Sequence, residues 1–87
     1  MFYLYILQCR GNALYIGITN DLEKRLAYHS SGNVKYTKNR RPLILVYNEE
    51  YDDKRAAALR EKQLKGWSRK KKEQLIEFGV PLKKSNK

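Results

Sequence analysis

Apolar residues open the chain without a polar interruption. In "FYLYILQ", one alternating set is Phe2, Leu4 and Ile6, and the other is Tyr3, Tyr5 and Leu7. Successive strand side chains point to opposite faces, so a strand apolar on both sets is one covered on both sides. The turn-forming "CRGNA" follows, and Leu14 to Ile18 predicts the returning strand of a hairpin. Directly opposed residues of an antiparallel pair share a face, so the parity of the loop decides where the tyrosines look. A two-residue turn at Gly11-Asn12 pairs Gln8 with Tyr15 and sends Tyr5 and Tyr15 to opposite faces. An odd-length loop pairs Leu7 with Tyr15 and puts both on one face. The odd loop is expected, for the chemical reason given below.

The period changes at "NDLEKRLAYHSSG". Asn20 is the predicted N-cap, Asp21 and Glu23 suit the positive end of the helix dipole, and Gly32 lies just past an end near Ser30. A basic loop comes next, and Pro42 opens a third strand, "PLILVYNEE". Asp52 or Asp53 then caps a helix through "KRAAALREKQLKGW", rich in good helix formers. Gly66 interrupts it, Ser68 caps a last helix, "RKKKEQLIEF", and Gly79 with Pro81 stops that one. The order β-β-α-β-α-α predicts an α+β domain over residues 1–80, a three-stranded antiparallel sheet flanked by helices. Residues 81–87 read as a basic, frayed tail. Trp67 is expected partly buried at the joint of the last two helices, the alternative being a stacking platform for a base.

Three polar residues interrupt faces that ought to be apolar. In the first helix Leu22 and Leu26 form the core stripe, His29 projects between them, and Arg25 lies at its edge. In the second, Ala57, Ala58 and Leu64 define the buried arc, and Glu61 falls inside it. A carboxylate there is costly unless paired or bound to a cation. The ordinary readings are a hydrogen-bonded core histidine, an arginine in an ion pair, and a Glu61 salt bridge to Arg25 or a lysine. Their functional reading is convergence of Tyr5, Tyr15, Arg25, His29 and Glu61 on one wall of the sheet.

Charge sharpens that choice. Net charge is +10, and Arg60 to Lys87 holds ten Lys/Arg against three Glu, which is +7 of it. "KYTKNRRP" adds four cations and no acid. Such a field favours phosphate backbones, with a membrane surface well behind and simple solubility as the plain alternative. Eighty-seven residues leave a core near the lower limit for unaided folding. The single cysteine, Cys9, excludes an intramolecular disulfide framework and fits a reducing, cytoplasmic setting. No run approaches the ~18 apolar residues of a membrane helix, and "MFYLYIL" lacks the basic leader of a signal peptide.

The ordered set "YLYIL", "YIGIT", "LEKRLAYH" and a later "RE" resembles the GIY-YIG nuclease domain superfamily. The resemblance is closest to its small single-domain branch, which carries a "KYTKNRRP" type of loop, and it covers residues 2 to about 78. It implies roles position by position. Tyr5 ends the first tripeptide, Tyr15, Ile16 and Gly17 form the second, Arg25 and His29 match the family arginine and a histidine of several branches, and Glu61 matches the metal-binding glutamate. Tyr3 stands where the first tripeptide has glycine, and Ile18 where the DNA-repair branch has lysine. Gln74 is the nearest residue to that branch's last-helix asparagine.

The implied activity is metal-dependent hydrolysis of DNA phosphodiester bonds at a single Mg²⁺ or Mn²⁺ site. A free phenol titrates near 10, so a tyrosine base needs a cation or a network through Tyr5 and His29 to assist it. Arg25 offers a planar fork for phosphate oxygens. Glu61 alone suffices for Mg²⁺ when waters and substrate phosphate complete the shell. This chemistry requires both tyrosines on one face, hence the odd loop. Lys35, Lys38, Arg40 and Arg41, with Arg69, Lys70, Lys71 and Lys72, are expected to flank the site and hold the backbone of a DNA that is branched or single-stranded. The main alternative is a module that binds nucleic acid without cutting it. An adaptor whose charge serves a protein partner is the blander one.

Overall fold

The computed structural model describes residues 1–79. Strand β1 (Phe2–Gln8) is central, with β2 (Leu14–Thr19) and β3 (Ile44–Tyr51) antiparallel on either side, in the order β2-β1-β3. Helices α1 (Leu22–Ser30), α3 (Lys54–Lys65) and α4 (Arg69–Phe78) match the predicted order, and the loop after α1 adds a one-turn helix, α2 (Lys35–Lys38). The expected tail at 81–87 lies outside the described residues.

The double apolar pattern of β1 has the predicted cause. Leu4, Tyr5, Ile6 and Leu7 are all at most 1% exposed, because each face of the sheet is covered. On one face Leu4, Ile6 and Ile16 form a core with Tyr47, Leu64 of α3 and Leu75 of α4, and Trp67 packs against it between those helices. Burying a leucine or isoleucine fully is worth about 1.5–3 kcal/mol, so this layer carries much of the stability. The other face presents Tyr5 and Tyr15 to α1 and α2. The five-residue loop Cys9 to Ala13 sets that arrangement, pairing Leu7 with Tyr15 and Tyr5 with Gly17. It closes through a Cys9 N–H to Ala13 carbonyl bond of 2.7 Å, with Gly11 and Asn12 at positive φ.

Local boundaries differ from expectation in three places. The N-cap of α1 is Asp21, not Asn20: its side chain accepts from the Lys24 N–H at 3.0 Å, while Thr19 Oγ1 accepts from the Asp21 N–H at 3.1 Å. Asn20 is thereby the spacer between strand and cap. Strand β3 begins at Ile44 rather than Pro42, because its partner β1 ends at Gln8, opposite Ile44, and proline has no N–H for the ladder. The Leu22–Leu26 stripe is only half-buried, and the buried residue of α1 is His29. Asp53 and Ser68 cap α3 and α4 through 2.8 and 3.2 Å bonds from Ala56 and Lys71.

Candidate active site

Five side chains from β1, β2, α1 and α2 meet on the tyrosine face. Tyr5 Oη lies 2.9 Å from His29 Nε2, and His29 Nδ1 lies 2.9 Å from Thr37 Oγ1. Tyr5 is 1% exposed, and His29 and Thr37 are 0% exposed, so this chain of contacts is closed to solvent. In front of it stands Tyr15, half-buried, its ring centroid 5.0 Å from that of His29 and 6.3 Å from that of Tyr5. Tyr36 of α2 continues the aromatic wall at 5.5 Å from Tyr15, with the Arg40 guanidinium 4.1 Å over its ring.

The strand pairing explains the glycine of the second tripeptide. Gly17 lies directly across from Tyr5, and a Cβ there would stand 2.6 Å from Tyr5 Oη and 2.8 Å from Cζ. Any side chain there would force the Tyr5 ring to shift. Gly17 is thus what lets the Tyr5 ring lie flat across β2 and reach His29.

Electrostatics couple the cluster to two charged residues. Burial pushes the Tyr5 phenol far above its ordinary range, negative charge on Tyr15 and Glu61 adds to this, and Arg25 pulls it back. The same Arg25, after burial itself, depresses the His29 imidazole, which is held neutral. Arg25 therefore acts on both buried members. Among the described residues it has no acidic partner within ion-pair distance, and it lines a cleft with Thr19, Asn20, Asp21, Lys24 and Tyr28. Glu61 is not paired with Arg25. It meets Lys65 at 3.2 Å, one turn along α3, in a pair whose lysine is 58% exposed.

The five residues picked from sequence thus divide by depth. Tyr15, Arg25 and Glu61 are partly exposed, whereas Tyr5 and His29 are buried. Thr37 was missed, as a threonine inside a basic loop carries no sequence signal of burial. Among the described residues, no group of three His, Cys, Asp or Glu side chains, with Glu61 or elsewhere, is placed to hold a metal. A lone carboxylate suits Mg²⁺, which keeps several waters, and does not suit zinc, which takes three or four protein ligands.

The basic residues fall in two layers. Arg41 Nε and Nη1 donate to the Lys38 and Ser30 carbonyls, each at 2.9 Å, and Arg10 Nη2 donates to the Asn39 carbonyl at 2.9 Å. These two arginines and Lys38 line one cleft free of acids, with Arg10 contributed by the hairpin loop and unforeseen. Lys35 is exposed on α2. Arg69, Lys70, Lys71 and Lys72, expected to flank the site, instead begin α4, which packs on the opposite face of the sheet from Tyr15 because Leu75 joins the Leu4–Ile6 core. Of these, Arg69 meets Glu73 at 2.8 Å and Lys71 sits 4.5 Å over the Trp67 ring.

A tyrosine pair joined across a hairpin by YIG, backed by histidine and flanked by arginine and glutamate, defines a nuclease-type fold. The profile of the GIY-YIG catalytic domain matches residues 1–74, and the chain belongs to that family. It is 50% identical over 76 residues to a UPF0213 protein of Bacillus pumilus, covering 86% of this chain and 78% of that one. A UPF0213 protein of Staphylococcus haemolyticus is 46% identical, with 86% and 93% covered. The solution NMR structure of a UPF0213 protein from Bacillus halodurans superposes with a TM-score of 0.61 at 40% identity, covering 91% of this chain and 86% of that one. No described helix is long and apolar enough to cross a membrane.

Proposed function

We propose that this protein is a metal-dependent endonuclease that hydrolyses DNA phosphodiester bonds. The observation that carries the reading is the partly exposed Tyr15 backed by the buried Tyr5–His29 pair, with Arg25, which has no acidic ion-pair partner among the described residues, acting on that pair. Tyr15 takes the proton of the attacking water. Arg25 places its fork on the phosphate, where it offsets the charge that builds up in the transition state. Glu61 would hold Mg²⁺ or Mn²⁺. That ion, when bound, polarises the phosphate and steadies the leaving oxygen. Tyr5 and His29 keep the Tyr15 ring in place and exclude water from behind it.

Strand binding at the site is assigned to the basic residues of the loop, Lys35, Lys38, Arg40 and Arg41; Arg69 to Lys72, on the other face of the sheet, would reach only a nucleic acid that extends past the sheet edge. Phosphate contacts of this kind supply affinity without reading sequence. A module that binds without cutting is the second reading, favoured by the acid-free cleft of Arg10, Lys38 and Arg41, which needs no chemistry from Tyr15.

Glu61→Gln separates them. Its ion-pair partner among the described residues, Lys65, is exposed, and such pairs are worth about 0–1 kcal/mol, so the variant is expected to fold with a near-unchanged Tm. DNA binding should persist or tighten, because a negative charge beside the phosphates is gone. Mg²⁺-dependent cleavage of a panel of branched, flapped and single-stranded DNA should disappear. Cleavage that survives the substitution removes Glu61 from the site. A wild-type protein that binds the panel and never cuts it establishes the binding module instead.

A further inference from the structure

We infer that Arg10 and Arg41 form a fixed phosphate seat beside the tyrosine site, which takes one backbone phosphodiester of a nucleic acid strand. The inference rests on the nucleic-acid reading of this face and not on cleavage. The seat is an acid-free cleft of about 680 Å³, lined from the hairpin loop by Arg10, from the end of α1 by Ser30 and from the end of α2 by Lys38. Arg41 Nε and Nη1 donate to the carbonyls of Lys38 and Ser30, the last residues of α2 and α1, each at 2.9 Å. Arg10 Nη2 donates to the Asn39 carbonyl at 2.9 Å, and the Arg10 main-chain N–H donates to the Arg40 carbonyl at 2.7 Å. Backbone carbonyls thus hold both guanidiniums in place. Gly32 shows how closely the loop approaches: a Cβ there would stand 3.2 Å from the Arg41 Cζ.

Carbonyls orient these cations without neutralising them. A guanidinium has five N–H groups. Among the described residues Arg41 spends two of them on the protein and Arg10 spends one, which leaves three and four for a ligand. No ion pair of the described residues includes Arg10, Lys38 or Arg41. Three like charges around one cleft repel one another, and an anion seated among them turns that cost into attraction. Planar forks already held in place match phosphate oxygens with little further ordering. The plain alternative is that both arginines only cap the carbonyl ends of helices. Capping accounts for the three bonds, but not for the convergence of Arg10, Lys38 and Arg41 on one cleft without an acid. Its volume falls in the range of small-molecule sites and exceeds what a bare ion needs. Pro42 and Leu43 add apolar surface on which a sugar can rest. The cleft adjoins the tyrosine site through the chain, since Ser30 follows His29 and Lys38 follows Thr37, the pair joined at 2.9 Å inside it. It shares no lining residue with the Arg25 cleft. Arg25 and Ser30 are five residues apart on α1, about 7.5 Å along its axis. A strand that offers one phosphate to Arg25 can therefore seat a neighbouring one between Arg10 and Arg41.

Arginine-to-lysine substitution separates a seat from a diffuse field, because it keeps the charge and removes the fork. Binding of a fluorescent single-stranded oligonucleotide without terminal phosphates, and of its 5′-phosphorylated twin, is measured in EDTA so that cleavage plays no part. Arg10→Lys and Arg41→Lys should each raise Kd by about ten-fold for both probes, the worth of a lost charge-assisted hydrogen bond, at unchanged salt slope. The double variant should bind little worse than the weaker single one, since one phosphate is lost only once. Arg55→Lys, on the exposed surface of α3, should bind as the wild type does. Arg41→Lys also removes a helix cap, so if it fails to fold, Arg10→Lys decides. Lysine variants with wild-type Kd overturn the inference and leave only the field. A loss confined to the phosphorylated twin also overturns it, by making the seat one for strand ends. In ¹H–¹⁵N NMR spectra titrated with the same oligonucleotide, the amides of Ser30, Asn39 and Leu43 should shift. Shifts confined to residues 19–28 defeat the seat and leave the nuclease reading standing. A protein that shifts at the seat and never cuts defeats the nuclease reading alone.

Discussion

Each face of this sheet buries a tyrosine-centred polar network, and the two are built on opposite plans. On the α3–α4 face, Glu49 accepts from Arg60 at 3.0 Å and from Tyr51 at 2.5 Å, and also from Tyr47 by a shorter bond. The carboxylate and guanidinium side chains are 11% and 16% exposed, and the Arg60 guanidinium lies 5.2 Å from the Trp67 ring centroid. The α1–α2 face runs Tyr5, His29, Thr37 without an ion pair, and its neighbouring cation, Arg25, lies 5.8 Å from the Tyr28 ring centroid with no acidic partner among the described residues. The first network neutralises itself and clamps α3 to β3. The second is neutral inside, borders an accessible phenol and keeps a positive charge in reserve. Internal satisfaction suits a structural cluster, and a charge with no acidic partner among the described residues suits the role proposed for the other.

The largest effect expected is on the clamp. Arg60→Met leaves the Glu49 carboxylate buried without its cation, at a cost of about 3–5 kcal/mol. At ~4–8 °C per kcal/mol for a domain of this size, Tm should fall by more than ~10 °C in a thermal melt. The ¹⁵N signature of His29 should stay as in the wild type, since it belongs to the other face. A small change in Tm would mean that the two faces do not differ in structural weight.

Gly17→Ala attacks the other face and should cost less. The added methyl meets the Tyr5 hydroxyl end, and overpacking of that kind costs about 1–3 kcal/mol. Because Tyr5 is pushed off His29, cleavage should drop further than the loss of stability explains. A variant with wild-type Tm and activity would show that the close crossing of Tyr5 over Gly17 has no functional part.

The gentlest test is acid. Burial, then Arg25, holds the His29 pKa below its ordinary 6.5, so the unfolded chain takes up that proton first. Its contribution to stability is whole above pH 6.5 and is lost as pH falls through the folded value. Burial alone would raise Glu49, but hydrogen bonds from Arg60, Tyr47 and Tyr51 outweigh it and hold the group below its ordinary 4.5. Its contribution is present above pH 4.5 and is lost on further acidification. Urea melts across pH should therefore show two steps, the upper absent in a His29 variant and the lower absent in a Glu49 variant. Loss of both steps in either variant would merge the two networks into one. The Tyr51 phenol, pushed up to about 12 by burial and then by Glu49, stays protonated throughout.

What the sequence determined by itself is the set of elements and the two-sided burial of β1. Those rest on local signals: alternation, the Asp53 and Ser68 caps, and glycines at element ends. The convergence of Tyr5 and Tyr15 was expected only through the chemistry the family resemblance implies, because local signals left the parity of the loop open; the five-residue loop is odd. Local reasoning failed where two adjacent residues competed for one job, as Asn20 and Asp21 did for the cap. Only the tertiary structure could reveal that His29 and Tyr5 lie behind Tyr15, or that Thr37 closes the chain. Those contacts join residues 24 and 8 positions apart, and depth depends on which layer covers them. The same holds for the Glu49–Arg60 clamp across 11 positions and for Arg10 beside Arg41. Pattern gives the face a side chain occupies, because that is a property of the backbone's period. Partners and burial arise only when separate elements pack, and no period encodes them.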